Sequence, residues 1–423
     1  MYKKIELDNG LHIILNHMPS MESATIGIWI NAGSRNENAR VSGISHFLEH
    51  LLFKGTPTRG SRKIKEEIEG RGGSLNGFTS EDVTCYLAKV SGQHVDVALD
   101  VLSDMVLNAS LAKKDIARER SVIIEEIKMY RDLPNHHVHD ILSEMMWPRH
   151  SLGRTITGSI KSVSSITRQN LLDYKNKNYS PANITVVLCG NIESDSSVRK
   201  IKKIFGRISE KKTQDPVRFS NRQASPQLKI LYKETEQSRL SMGMHTFGRM
   251  HRDRYALSLL HIILGANMSS RLFENVREKR GLAYQIGTEI EKHKETGAFI
   301  VNAGIDHKNV KETSGLIIKE LVEIKNKVVS SSELKRAKEF LKIQLLLALE
   351  DTLDHMIWLG DYAVATGKLP DKKDIIKKAN AVSRDDLQRV ARDIFNKKNL
   401  NLALIGPIKD RERHGLEQRL GEL

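Results

Sequence analysis

Asn183-Ile184-Thr185-Val186-Val187-Leu188-Cys189-Gly190-Asn191-Ile192 is written again, without a gap, 216 residues later as Asn399-Leu400-Asn401-Leu402-Ala403-Leu404-Ile405-Gly406-Pro407-Ile408. Each copy follows a segment of one kind, Thr167-Arg168-Gln169-Asn170-Leu171 in the first and Ser383-Arg384-Asp385-Asp386-Leu387 in the second. A Thr or Ser opens each as an N-cap, an amphipathic helix follows, and an apolar extended run ends at Gly190 or Gly406. Val101-Leu102 and Met105-Val106 are echoed by Ile317-Ile318 and Leu321-Val322, again 216 apart. Repetition at this period predicts two related α/β halves, and 423 residues are enough to give each its own core. A polar, proline-bearing run around Asp215-Pro216 and Ala224-Ser225-Pro226 reads as the connection. The expected division is a first domain at 1–212, a linker at 213–226 and a second domain at 227–423.

The halves differ in chemistry. His46-Phe47-Leu48-Glu49-His50 places two imidazoles four residues apart, one above the other on a helix face, with Glu49 on the same side. Ile44, Phe47, Leu48, Leu51 and Leu52 fall on the opposite side, which is the side built to pack. H-x-x-E-H is the inverted zinc-peptidase order, with the two His as ligands and the Glu acting on the attacking water. A catalytic zinc takes three protein ligands, so a further carboxylate must come from another rigid element.

The stretch 114–129 reads as a long helix without Gly or Pro. Glu119 and Glu126, seven apart, share a face with Val122 and Ile123, a face expected to turn inward. Glu125 is rotated about 100° away and is expected to be solvated or structural. An inward carboxylate needs a partner, and a zinc ion would satisfy Glu126. In the second half the alignment drifts to 218 and sets Ala337 opposite Glu119 and Gln344 opposite Glu126. His261 stands alone there and reads as a packed residue.

Composition sets outer limits. Hydrophobic residues are 39% and charged residues 28%, ordinary for a globular protein. Two cysteines, Cys85 and Cys189, each within an apolar run, suggest buried core residues rather than a disulfide framework. The net charge of +15 is spread along the chain without interleaved aromatics, so a solvated basic surface is expected and no nucleic-acid site. No signal-peptide core and no run near the roughly 18 apolar residues of a membrane span occurs, so a cytoplasmic chain with no membrane contact is expected.

His46-Phe47-Leu48-Glu49-His50-Leu51-Leu52-Phe53-Lys54-Gly55-Thr56, followed 76 residues after His50 by Glu126 within Glu119-Arg120-Ser121-Val122-Ile123-Ile124-Glu125-Glu126, resembles the pitrilysin family. The resemblance runs nearly the whole chain. It implies His46, His50 and Glu126 as ligands of one Zn²⁺ per chain, Glu49 as general base and Glu119 as a supporting glutamate. Arg277 and Tyr284, in Arg277-Glu278-Lys279-Arg280-Gly281-Leu282-Ala283-Tyr284, match the pair with which the family holds substrate backbone and the transition-state oxygen. Their segment reads as a helix stopped at Gly281. Gly72-Gly73-Ser74-Leu75-Asn76-Gly77-Phe78-Thr79 is similar to the family's substrate-pairing strand, with Asn76 and Gly77 at its contact positions.

The resemblance further implies an α+β fold in which each half is a mainly antiparallel sheet with helices packed on it, together half of a clamshell. The implied function is a zinc endopeptidase that cleaves peptides or extended unfolded segments in a closed chamber. A homodimer, or a heterodimer with a related chain, is expected to complete it. The alternative, a non-catalytic or peptide-binding subunit of such a complex, would be marked by lost ligands.

Overall fold

The protein is described by a computed structural model over residues 2–209 and 215–423. The boundary expected at 212 and linker positions 213 and 214 lie outside the described residues. Its apolar, β-branched runs form two sheets. The first contains β1 (Lys3–Glu6), β2 (His12–His17), β3 (Ser23–Ile30), β4 (Ser74–Thr79), β5 (Thr84–Ser91) and β6 (Ile184–Gly190), in the order β1-β2-β6-β3-β5-β4. The second contains β7 (Gln227–Tyr232), β8 (Ser238–Phe247), β9 (Ala283–Lys292), β10 (Thr296–Ile305) and β11 (Leu400–Gly406), in the order β7-β11-β8-β10-β9.

Without β1 the two orders correspond strand for strand. In both, the strand carrying the sequence repeat pairs in parallel with one neighbour, β6 with β2 and β11 with β7, and antiparallel with the other. The remaining pairs are antiparallel. The fold is α+β, as the resemblance implies, and built twice, as the repeat predicts. β6 and β11 are buried along their whole length, which explains why they read as continuous apolar runs rather than alternating ones.

The chain divides into two compact units, and neither is one continuous stretch. The first comprises Met1–Met129, Arg154–Val217 and Leu346–Pro370; the second comprises Tyr130–Gly153, Arg218–Leu345 and Asp371–Leu423. The helix Thr352–Thr366 therefore covers the first sheet, laying Met356, Leu359 and Ala363 over Ile14, Trp29, Cys85, Leu87, Val187 and Cys189. The helix Pro134–Met146 covers the second, with Val138, Ile141, Leu142 and Met146 over Ala298, Ile300, Ala403 and Ile405. A division at 212 would assign each of these helices to the other sheet.

Glycine lets both covering helices approach. An added Cβ on Gly27 of β3 would meet the Met356 sulfur at 2.3 Å, and one on Gly243 of β8 would meet the Met146 sulfur at 2.6 Å. These glycines are again 216 apart. Gly360, on the covering helix of the first sheet, lies against the Trp29 indole, where a Cβ would come within 2.1 Å. Gly360→Ala is expected to destabilise the first unit by about 1–3 kcal/mol, the usual cost of overpacking. Gly60→Ala, whose Cβ would meet nothing within 4 Å and which alters only the N-cap of the helix Ser61–Glu69, should cost less. Thermal unfolding of both variants checks this; equal midpoints would mean that the helix does not rest on Trp29.

Candidate active site

The helix Ile44–Leu52 buries Ile44, Phe47, Leu48, Leu51 and Leu52 in the core of the first unit, as its periodicity predicts. Its other side carries the two imidazoles, with ring centroids 4.5 Å apart. The helix Lys113–Asp132 brings up the third group. The Glu126 carboxylate lies 3.7 Å from His46 Nε2 through one oxygen and 3.7 Å from His50 Nε2 through the other. One ligand atom from each of the three lies within 4.8 Å of the others, and among the described residues this is the one such group of His, Cys, Asp or Glu.

That donor set fits zinc. Ligand atoms about 2.0–2.2 Å from a tetrahedral ion stand about 3.3–3.6 Å from one another, close to the separations seen. The protonation state of His46 fits as well. Burial, with the neighbouring His50 adding to it, pushes His46 down to about 3, so its ring is neutral at ordinary pH, as a ligand must be.

Glu119 is buried and does not join the three. One of its oxygens lies 3.3 Å from His50 Nδ1 and the other accepts from Lys54 Nζ at 2.8 Å. It thereby fixes the far side of the His50 ring and leaves Nε2 facing Glu126. Glu125 points out, 71% exposed and paired with Lys128 at 2.8 Å. The face shared by Glu119 and Glu126 is not wholly buried, contrary to the reading of its aliphatics. Ile123 is in the core, but Val122 is 46% exposed. The two sit about 100° apart, and the side bearing Val122 stays open, as a site that admits a ligand requires.

Glu49, on the same helix as the imidazoles, accepts from Thr79 Oγ1 at 2.6 Å. Burial raises the Glu49 carboxyl above its ordinary value, while Thr79 and His50 pull it back. Thr79 is the last residue of β4, the edge strand of its sheet, so one strand both holds Glu49 and offers a free edge. Asn76 lies exposed on that strand, and its side chain accepts from the Gly77 N–H at 2.8 Å. Gly77 packs against Phe53, where a Cβ would sit 3.2 Å from the ring. Lys54 and Thr79 escaped the sequence reading as contacts of Glu119 and Glu49. Lys54, four residues past His50, carried a detectable signal; Thr79 carried none, because its bond depends on how β4 meets the helix.

Arg277 and Tyr284 belong to the second unit and are brought together there. The Arg277 guanidinium lies 4.6 Å from the Phe273 ring centroid and 5.6 Å from that of Tyr284. Residues Phe273–Glu278 wind more widely than an α-helix, in π geometry, and Gly281 follows at φ +62°. Tyr284 is 76% exposed, so its ring is not a packed strand residue. Where the first unit has His46, Glu119 and Glu126, the repeat places Ile262, Ala337 and Gln344, and all three line one cavity of about 370 Å³. His261 faces elsewhere, bonded to Thr288 Oγ1 at 2.8 Å, with burial lowering it to about 4.

Comparison with known proteins matches this asymmetry. Residues 12–159 match the family described as Insulinase (Peptidase family M16), and residues 165–341 match the Peptidase M16 inactive domain. A zinc protease of Bacillus subtilis, itself called uncharacterized, is 36% identical over 407 residues, 96% of this chain and 98% of its own. One from Mycobacterium tuberculosis, called the same, is 34% identical over 408 residues, 96% of this chain and 93% of its own. A protease from Helicobacter pylori has the same fold, with a TM-score of 0.91 at 24% identity over 96% of this chain and 99% of that one. So does a chain of complex III2 from Candida albicans, with a TM-score of 0.87 at 18% identity over 99% of each chain. With both halves matched in order and full-length relatives above 30% identity, the chain belongs to peptidase family M16, the pitrilysin family.

Proposed function

We propose that the chain is a zinc-dependent endopeptidase acting on peptides or extended unfolded segments, with His46, His50 and Glu126 holding one Zn²⁺ and Glu49 as general base. The observation that carries this is the convergence of the three donors, with a half-buried carboxylate on the same helix. When bound, zinc supplies a Lewis acid for the scissile carbonyl and for the attacking water. Glu49 takes the proton of that water and delivers it to the leaving amine. Glu119, held by Lys54, keeps the His50 ring in place. The free edge of β4, with Asn76 and Gly77, pairs with substrate backbone, a mode largely blind to sequence. Arg277 and Tyr284 donate to the substrate carbonyl and backbone.

The same reading includes cleavage in a closed chamber and a homodimer, or a heterodimer with a related chain. It also includes the domain assignments 1–212, 213–226 and 227–423, with the helices Pro134–Met146 and Thr352–Thr366 exchanged between the two compact units, and a cytoplasmic location. Two free, buried cysteines suit a reducing compartment. Among the described residues no helix is long and apolar enough to cross a membrane. A non-catalytic, peptide-binding subunit is the weaker reading, because every ligand and the base are present.

Zinc content tests the assignment. Glu126→Gln should weaken zinc retention beyond the roughly 10–100-fold typical of changing a residue that only orients a ligand. Glu125→Gln, at an exposed position, should retain the metal. Elemental analysis of the two purified variants decides it. Equal loss in both, or loss in neither, removes Glu126 from the ligand set.

A further inference from the structure

The helix that carries both imidazoles begins without a cap of its own. Gly43 occupies the N-cap at φ +93° and has no side chain to offer. A Cβ there would sit 2.5 Å from the Thr157 carbonyl oxygen, so the position excludes a capping Ser or Asp. The first N–H groups of a helix still need acceptors. Here Glu37 supplies them from outside the helix. One carboxylate oxygen accepts from the Gly43 N–H at 2.7 Å and the other from the Ser45 N–H at 2.8 Å.

Glu37 is in turn anchored. Its own carbonyl accepts from Arg154 Nη2 at 2.7 Å. Just before it, the Ser34 and Arg35 N–H groups donate to the carbonyls of Ser80 and Glu81 at 3.1 and 2.9 Å, and Arg35 pairs with Asp82 at 3.1 Å. Residues 80–82 directly follow Thr79, the residue that holds Glu49. Residues 33–37 thus tie the start of the imidazole helix to the end of β4. The arrangement is costly: only 6% of Glu37 is exposed, and burial raises its carboxyl to about 7 against the pull of the two backbone donors and Arg154.

We infer that Glu37 is a positioning residue, whose double cap fixes the imidazole helix against β4 and so sets His46 and His50 for metal. This rests on the zinc reading above. Glu37→Ala is expected to lower zinc affinity roughly 10–100-fold, as loss of a residue that orients ligands does. Glu37→Gln keeps one acceptor and should fall between. Chelator competition measures affinity on the full-length protein.

A merely structural role predicts a different pattern, and Ser383→Ala supplies the comparison. Ser383 caps the helix Arg384–Ile394 of the second unit by accepting from the Asp386 N–H. Its loss should lower the unfolding midpoint with zinc affinity unchanged. Hydrogen exchange on the metal-free protein reads the cap directly. In Glu37→Ala the Gly43 and Ser45 amides should exchange at least about tenfold faster, as losing roughly one hydrogen bond implies, with β3 protected as before. Unchanged exchange at those amides, unchanged zinc affinity, or an equal affinity loss in Ser383→Ala would overturn the inference. A wild-type protein that binds no zinc would instead overturn the metal reading, while exchange still reports whether Glu37 caps the helix.

Discussion

Glu49→Gln is expected to reduce peptide turnover by roughly 10²–10⁴, the usual contribution of a positioned acid–base group, while zinc stays bound. The amide has nearly the shape of the carboxylate and can still accept from Thr79 Oγ1, so the helix and β4 keep their relation. It cannot take a proton from water at neutral pH. Burial raises the Glu49 carboxyl, so a neutral side chain at this position costs the fold nothing in desolvation. Glu49 is not among the three groups that converge, so metal content should match wild type. Cleavage of a quenched peptide library, with elemental analysis of the same sample, reads both quantities. The variant should also hold uncut peptide. Turnover near the wild-type rate would leave the mechanism without a base.

What was legible in the sequence was legible because it is local. His46 and His50 are one turn apart, Glu119 and Glu126 two turns apart, and helix geometry alone sets each pair on a common face. The same rule turned Glu125 away from that face. It failed for Val122, because an aliphatic side chain beside a carboxylate says nothing about whether that face is packed or open. The repeat announced the doubled architecture equally well, since β6 and β11 are apolar runs ending in Gly at the same place in the two copies.

The covering helices were not legible. Thr352–Thr366 and Pro134–Met146 are both apolar on the side that packs, and the two sheets present similar surfaces, down to the glycines Gly27 and Gly243. Periodicity shows that a helix needs an apolar face to rest on, but not which of two such faces it takes. A fragment ending at 212 would leave Trp29, Cys85, Leu87 and Val187 without Met356, Leu359 and Ala363, an exposed apolar patch. Glu37 escaped for a related reason: its two bonds span six and eight residues through an irregular segment, and no periodic pattern marks them.

Tyr284→Phe carries the second large effect, an expected loss of about 10²–10³ in kcat, the typical cost of one donor to a developing oxyanion. A tyrosine 76% exposed contributes little packing, and among the described residues no hydrogen bond from its hydroxyl is seen. Removing one oxygen should therefore leave the unfolding midpoint unchanged, and zinc content too, since the three converging groups lie in the other unit. Beside it, Arg277 keeps a positive charge 5.6 Å from the ring, favouring a negative charge on a bound carbonyl oxygen. The hydroxyl gains most as that oxygen takes up charge, so its loss should fall on kcat more than on substrate binding. Arg277→Lys, which keeps the charge and loses the planar fork, should be less damaging than Arg277→Ala. Steady-state kinetics on the full-length dialysed and zinc-reloaded variants separates these outcomes. A Tyr284→Phe protein with normal zinc, normal stability and unchanged kcat would remove the second unit from the chemistry, leaving catalysis to the imidazole helix and Glu49 alone.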